Sequence, residues 1–257
     1  MNEIIILASG SPRRRELLTQ IGISFEVIPA LSEERTQSSE PEEICRSLAA
    51  VKAEEVAQRV MAARTAYVVK ETDNRKAIHT WETEEEQSKD RTAFGETADR
   101  QSKERNTSGK NAENDSRYGG IPGEVAVSRR VRIIGADTIV VLRREILGKP
   151  KDAEDAARML TELSGCMHEV MTGVCVIDIC DGQKVSEASF SECTKVFVSG
   201  LTPQDIEDYI ATGEPFDKAG AYGIQGMFAR YIERIDGDYN NVVGLPAGRL
   251  FREFLKE

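Results

Sequence analysis

An α/β fold, with a mixed sheet sandwiched between helices and split into two lobes around a cleft, is the class this sequence predicts. Short apolar runs of strand length alternate along the chain with stretches whose apolar residues recur at helical spacing. Tight turns rich in Gly, Pro and Asp join them. The 257 residues, 40% of them hydrophobic, suffice for one sizeable core or two small ones.

The elements follow in order. Ile4 to Ala8 is wholly apolar and reads as a buried strand; it ends in Ser9-Gly10-Ser11-Pro12. Leu17, Leu18 and Ile21 then recur at helical spacing, so the spacing predicts a helix with Ser11 as N-cap and Pro12 at its first position. Phe25 to Pro29 reads as a second strand. Pro41 to Ala63 is helical, with Ile44, Leu48, Val51 and Val56 on one face. Val131 to Ile134 runs into Gly135-Ala136-Asp137-Thr138 and on into Ile139 to Leu142, which reads as two buried strand segments flanking a turn at the edge of the sheet. Asp152 to Leu163 carries Ala156, Met159, Leu160 and Leu163 in one stripe with Gly165 placed to stop it, a helix. Val174 to Ile179 and Lys184 to Val198 flank Asp181-Gly182, an antiparallel pair around a tight turn. Thr202-Pro203 opens a helix with Ile206, Tyr209 and Ile210 on its buried side, and Ala247 to Lys256 reads as a terminal helix.

One segment departs from this pattern. Of the 51 residues from 70 to 120, 22 are charged and eight hydrophobic, too few apolar groups to build a core. The expectation is a solvated, mostly disordered insertion over residues 70–128 within one domain spanning 1–257. A partly helical surface excursion and a regulatory docking segment are the other readings. Ile78, Trp81, Phe94 and Tyr118 show no spacing that favours either.

Composition excludes several classes of function. The net charge of −10, from 34 Lys+Arg against 44 Asp+Glu, argues against a protein that coats nucleic acid by neutralising many phosphates. A site for a small polyphosphate needs only local positive charge, often with a divalent ion. No run approaches the roughly 18 to 20 apolar residues of a spanning helix. Met1-Asn2-Glu3 lacks the basic start of an export signal, so the expected location is cytoplasmic. Cys45, Cys166, Cys175, Cys180 and Cys193 contain no C-x-x-C pair, and only His79 and His168 accompany them. Buried reduced thiols are therefore expected, rather than a disulfide framework or structural zinc.

Four places carry chemistry. Ser9-Gly10-Ser11-Pro12-Arg13-Arg14 feeds a strand into a helix N-terminus, where backbone N–H groups and guanidinium forks suit phosphate oxygens; a small turn beside two solvated arginines is the plain alternative. Asp137 sits between strongly apolar segments, where an unpaired carboxylate costs several kcal/mol. It is either a turn-forming Asp or a metal ligand or general base at the end of a strand. Glu33, Glu34 and Lys149 are surface charges taken singly, yet a second carboxylate and a lysine are what phosphoryl chemistry would add. In Asp217 to Gly226, three glycines surround Gln225, whose amide has the donor and acceptor to read a base edge; an ordinary irregular turn is the alternative. His168, after a helix-stopping glycine, reads as structural.

Together these blocks resemble a known family. Leu7 to Arg14, Gly135 to Thr138, Leu147-Gly148-Lys149-Pro150, Leu163 to Gly165 with His168, Lys218 to Gly226, and Gly237-Asp238-Tyr239 through Gly244-Leu245-Pro246 resemble, in order, the motifs of the Maf nucleoside triphosphate pyrophosphatases. The resemblance covers all but the insertion. It implies an elongated α/β protein, similar to Maf and inosine triphosphatase folds, with two lobes around a central cleft. It also implies hydrolysis of a nucleoside triphosphate to monophosphate and pyrophosphate with a divalent metal, Mg²⁺ or Mn²⁺. Asp137 looks like the family's catalytic carboxylate and, with Glu34, its metal ligand; Glu33 takes that place if the alignment slips by one. Arg13, Thr138 and Gln225 look like the specificity positions of the branch acting on dTTP, UTP and some modified pyrimidine nucleotides. Lys149 and Lys52 match phosphate-binding lysines. The resemblance favours a homodimer and leaves two alternatives, a methylated-GTP pyrophosphatase and a non-catalytic nucleotide-binding regulator of septum formation. The long insertion is the main departure from the family's pattern.

Overall fold

The computed structural model describes residues 3–31, 38–73 and 130–256. The chain divides into two compact units, residues 1–69 with 127–257, and residues 70–126. Of the second, only 70–73 are described; the predicted insertion otherwise lies outside the described residues, as do Glu33 and Glu34.

In chain order the elements are β1 (Glu3–Leu7), α1 (Pro12–Gln20), β2 (Glu26–Val27), α2 (Pro41–Asp73), β3 (Arg130–Leu142), β4 (Glu145–Leu147), α3 (Ala153–Leu163), β5 (Met167–Cys180), β6 (Gln183–Val198), α4 (Pro203–Ala211), β7 (Ile232–Asp236), α5 (Tyr239–Val243) and α6 (Ala247–Leu250). Seven strands form one mixed, open sheet in the order β2-β1-β3-β5-β6-β7, with β4 paired to the far end of β3. β1 runs parallel to both β2 and β3, and the remaining pairs are antiparallel. The α/β class, with a mixed sheet flanked by helices, is as the sequence predicts.

Local signals account for most boundaries. α1 begins at Pro12 after Ser11, although the Ser11 side chain makes no capping hydrogen bond. Asp152 caps α3 by accepting from the Asp155 backbone N–H, and Thr202 and Asp205 form a reciprocal capping box on α4. Asp181 and Gly182 both have positive φ, 52° and 81°, the two left-handed residues a two-residue hairpin turn requires.

Five expectations are corrected. Gly135 to Thr138 is no turn: it lies within the 13-residue β3, because the ladder to β5 continues unbroken through Ala136–Val174, Asp137–Gly173 and Thr138–Thr172. β5 starts at Met167 rather than Val174; its buried polar residues His168 and Thr172 interrupt the apolar pattern by which a strand is recognised. The strand expected over Phe25 to Pro29 shrinks to the two residues of β2. α2 runs ten residues past Ala63. The terminal helix ends at Leu250 and continues as a single π-helical turn, Phe251–Leu255.

The sheet separates two cores. On one face α2 packs Ala49, Ala53, Val56 and Ala57 against Ile6, Ile133, Cys175 and Ile177. On the other, α1, α3, α4 and the C-terminal segments enclose Leu7, Ile134, Val140, Leu160, Tyr209, Phe228 and Leu245. Successive strand residues face opposite sides, so β3 contributes odd-numbered residues to the α2 side and even-numbered residues to the other. All five cysteines are reduced. Burial pushes the Cys45 and Cys175 thiols up to about 12, but Cys166 and Cys180 are only half-buried and Cys193 is exposed, so burial holds for two of the five. Among the described residues no helix is long and apolar enough to cross a membrane.

Candidate active site

The site forms where β1 ends. The β1–β3 ladder closes at Leu7–Ile134, the Ala8 N–H donates to the Ile134 carbonyl at 2.8 Å, and the chain then turns away through Ser9 to Ser11. β4 does not join β3 until Val140. Between these points, among the described residues, Gly135 to Ile139 have no strand on their outer side. That notch lies beyond the carboxyl end of a parallel strand, where α/β sheets place ligands.

On the α2 side of the notch stands Asp137, 7% exposed. Lys52 Nζ lies 2.6 Å from its Oδ1, with side-chain exposures of 15% and 9%. α2 can come this near because two glycines face it: a Cβ at Gly135 would sit 2.3 Å from the Ala49 carbonyl oxygen, and one at Gly173, opposite Asp137, 2.2 Å from that of Cys45. Lys52 lies seven residues after Cys45 on the same helical face. The desolvation of the carboxylate is thus offset by a charge-assisted hydrogen bond. Its negative charge is felt at Cys45, where it adds to burial in raising the thiol. Two positions further along this face opens a cavity of about 550 Å³, lined by Glu40, Glu42, Arg46, Val141, Glu169 and Met171 among others; neither Asp137 nor Lys52 lines it.

The other face holds Thr138, half-buried. Its hydroxyl takes a hydrogen bond from Arg14 Nη2 at 3.1 Å. The same guanidinium donates through Nη1 to Ser9 Oγ at 3.0 Å and through Nε to the Gly244 carbonyl at 2.8 Å. Arg13, its neighbour on α1, points elsewhere and meets Asp217 Oδ2 at 3.3 Å. Asp217 also pairs with Lys218 Nζ at 2.6 Å. Burial raises its carboxyl, but Lys218 and Arg13 outweigh that and hold it below the usual carboxylate range.

Gln225 is exposed on the loop that follows. That loop is pinned by Tyr222 Oη against His168 Nε2 at 2.7 Å and by the Gly223 N–H donating to Tyr209 Oη at 3.2 Å. Lys149 is exposed just after β4, and the preceding Gly148 carbonyl accepts from Gly220 N–H at 3.0 Å.

The structure therefore joins Lys52 to Asp137 directly. It links Arg13 and Lys149 to the Gln225 loop through Asp217 and Gly148, and it places Thr138 beside Arg14 rather than Arg13. Glu34 lies outside the described residues. Among the described residues no cluster of three His, Cys, Asp or Glu groups presents itself for a metal. Asp137 does offer a hard oxygen donor at the notch, which fits the mode in which Mg²⁺ is held by one or two carboxylates and completed by substrate phosphates and water. Two residues escaped the sequence reading: Thr172 lies in a strand whose start was placed after it, and Asn241 lies within the Gly237 to Pro246 block, which carried no chemical signal. His168 is structural, as expected: it is 1% exposed and packs edge-on against Tyr222.

A family model described as Maf-like protein matches residues 4–257. The chain belongs to the Maf family. Curated relatives agree: a dTTP/UTP pyrophosphatase of Agathobacter rectalis is 40% identical over 252 residues, 98% of this Maf chain and 96% of the relative. One from Lachnoclostridium phytofermentans is 38% identical over 252 residues, 98% of this chain and 94% of the relative. A Geobacillus dTTP/UTP pyrophosphatase is 58% identical over 121 residues, 47% of the Maf chain but 62% of the relative, and so is the shorter protein. The first two are of nearly the same length as this chain, so its length sets it apart only from shorter relatives.

Proposed function

We propose that the chain is a nucleoside triphosphate pyrophosphatase that hydrolyses dTTP and UTP to the monophosphate and pyrophosphate. The observation that carries this reading is the Lys52–Asp137 pair at 2.6 Å, set at the notch beyond β1, together with the names of relatives aligned over nearly the whole chain. A triphosphate lying across the notch would meet Lys52 on one side and the Arg13–Arg14 turn and Lys149 on the other. Fixed positive charge of this kind stabilises the charge that develops on phosphoryl oxygens.

Asp137 is the general base. It takes a proton from a water whose oxygen forms a bond to the α-phosphorus as the bond from that phosphorus to the bridging oxygen breaks, and pyrophosphate leaves with the electron pair. Lys52 holds the carboxylate in place through their 2.6 Å contact. Asp137 and Glu34 would hold Mg²⁺ or Mn²⁺, which supplies further positive charge to the phosphates when bound. Arg13, Thr138 and Gln225 select the base, with the exposed Gln225 amide reading the pyrimidine edge by paired donor and acceptor. The family resemblance extends the proposal to a homodimer working in the cytoplasm.

The test is a nucleotide panel. Pyrophosphate release from dTTP and UTP, with and without Mg²⁺, is expected to exceed that from GTP, methylated GTP, dATP and dCTP by at least tenfold. Preference for methylated GTP would move the chain to another branch, and binding without turnover would make it a regulator.

A further inference from the structure

A buried polar chain behind the site has no part in the mechanism above. Thr172, Thr194 and Asn241 are each 0% exposed. Thr172 Oγ1 lies 3.0 Å from the Asn241 main-chain oxygen and 2.9 Å from Thr138 Oγ1. A hydroxyl carries one hydrogen and a carbonyl has none, so the Asn241 carbonyl takes the Thr172 proton, and of the two acceptors within reach of Thr138 Oγ1, Thr172 at 2.9 Å is nearer than the Gly244 carbonyl at 3.4 Å. Thr172 donates to Asn241, so it must accept from Thr138. Thr138, its proton committed, accepts from Arg14 Nη2 at 3.1 Å.

The carbonyl at the head of this chain is itself held. Asn241 Nδ2 donates to the Val170 carbonyl at 2.9 Å and to Thr194 Oγ1 at 3.0 Å. Thr194 ties in the Asp238 backbone, donating to its carbonyl and accepting from its N–H, each at 3.0 Å. The same segment ends at Gly244, whose φ of 133° is one L side chains rarely adopt and whose carbonyl receives Arg14 Nε at 2.8 Å. Arg14 is therefore gripped twice by one short segment, once directly and once through two threonines.

We infer that Asn241 and Thr172 are positioning residues that orient the Arg14 guanidinium and the Thr138 hydroxyl for the nucleotide. This rests on the pyrophosphatase reading. Both are fully buried; they act by giving the Thr138 hydroxyl an acceptor nearer than the Gly244 carbonyl, 2.9 against 3.4 Å, and so steady the Arg14 guanidinium it accepts from. An isosteric loss of the Thr172 hydroxyl would free Thr138 to turn its proton toward the Gly244 carbonyl, 3.4 Å away, and loosen Arg14 with it.

The experiment compares Thr172→Val, Thr172→Ala and Thr172→Ser with the wild type for kcat/KM on dTTP, for the dTTP-to-GTP turnover ratio, for pyrophosphate affinity by calorimetry, and for Tm. Thr172→Val is expected to lose at least tenfold in kcat/KM and fivefold in the turnover ratio while staying folded at assay temperature. Thr172→Ser, which keeps the hydroxyl, should remain within threefold of wild type. A purely structural role would lower Tm and leave the ratio unmoved. The inference is overturned if Thr172→Val stays within twofold of wild type in both, or if Thr172→Ser is as impaired as Thr172→Val. Should the valine variant fail to fold, equal activity of the alanine and serine variants overturns it. If the wild type releases no pyrophosphate from any nucleotide, the functional reading falls instead, and a fivefold weaker pyrophosphate affinity in Thr172→Val relative to Thr172→Ser then decides the inference by itself.

Discussion

Asp137 and Lys52 are both largely withdrawn from solvent, with side-chain exposures of 9% and 15%, and meet at 2.6 Å. Removing one member of a buried pair leaves the other uncompensated, which destabilises by several kcal/mol, whereas an isosteric neutral replacement keeps the shape and one hydrogen bond. Asp137→Asn should therefore remain folded, with Lys52 donating to the amide oxygen, and kcat on dTTP should fall by about 10²- to 10⁴-fold, the range for loss of a general base. Single-turnover assays beside a far-UV spectrum check both halves; near-normal turnover in a folded variant would remove Asp137 from the chemistry. That Asp137 would have a partner was legible in the sequence because a carboxylate inside an apolar run costs several kcal/mol unpaired. The partner was not, since Lys52 is 85 residues away and only pairing of β3 with the sheet beneath α2 brings them together. Arg13 and Arg14 show the same limit: the motif names both, but adjacent helical residues diverge by about 100°, and packing alone decides which of them faces Thr138.

At the scale of elements, α2 and the sheet depend on one another through two glycines, Gly135 on β3 and Gly173 on β5. The Cβ of an alanine at 173 would lie 2.2 Å from the Cys45 carbonyl oxygen, and helix backbone cannot swing aside as a side chain can. Gly173→Ala should push α2 off the sheet, lowering stability by about 1–3 kcal/mol and stretching the Lys52–Asp137 contact, so that Tm and kcat fall together. Gly200→Ala, where nothing lies within 4 Å, should change stability by no more than about 0.5 kcal/mol. Urea titration of the two variants checks the contrast, and equal midpoints would refute it. The same close packing explains why Gly135 to Thr138 was read as a turn. Small and polar residues within an apolar run signal a turn when neighbours are unknown, but here Gly135 lies against the backbone of α2 and Asp137 meets Lys52. The helices with capping signals, α3 and α4, were legible because their caps and stripes lie within a dozen residues of chain.

For the whole molecule, acid is the informative perturbation. Burial lowers His168 to about 4 from 6.5, and its Nδ1 is buried without a hydrogen-bond partner, so it is neutral in the folded state. The unfolded chain binds the extra proton between these values, so stability is complete above about pH 6.5 and falls as pH drops toward about 4, by on the order of 3 kcal/mol. Asp178 acts in the same direction lower down: burial raises its carboxyl, but hydrogen bonds from Arg132 and Arg130 outweigh that and bring it to about 2. Its contribution is present above about pH 3.8 and is lost as pH falls through about 2. Denaturation midpoints measured from pH 7 to 3 should decline through the first window, and His168→Phe should flatten that decline. An unchanged slope in the variant would show that His168 is not the group responsible.

By itself the sequence determined the class of fold, most helix boundaries, the family and the residues at which chemistry was to be sought. Those depend on short-range periodicity, on caps, and on residue types that are out of place in their surroundings. Only the tertiary structure decided that β3 runs unbroken through Asp137, that Lys52 is its partner, and that Arg14 rather than Arg13 is hydrogen-bonded to Thr138 and Gly244. Those contacts span 85 to 230 residues of chain, and which side chains meet across such distances is set by strand register and by how closely a helix approaches a glycine, neither of which is written in any local stretch of sequence.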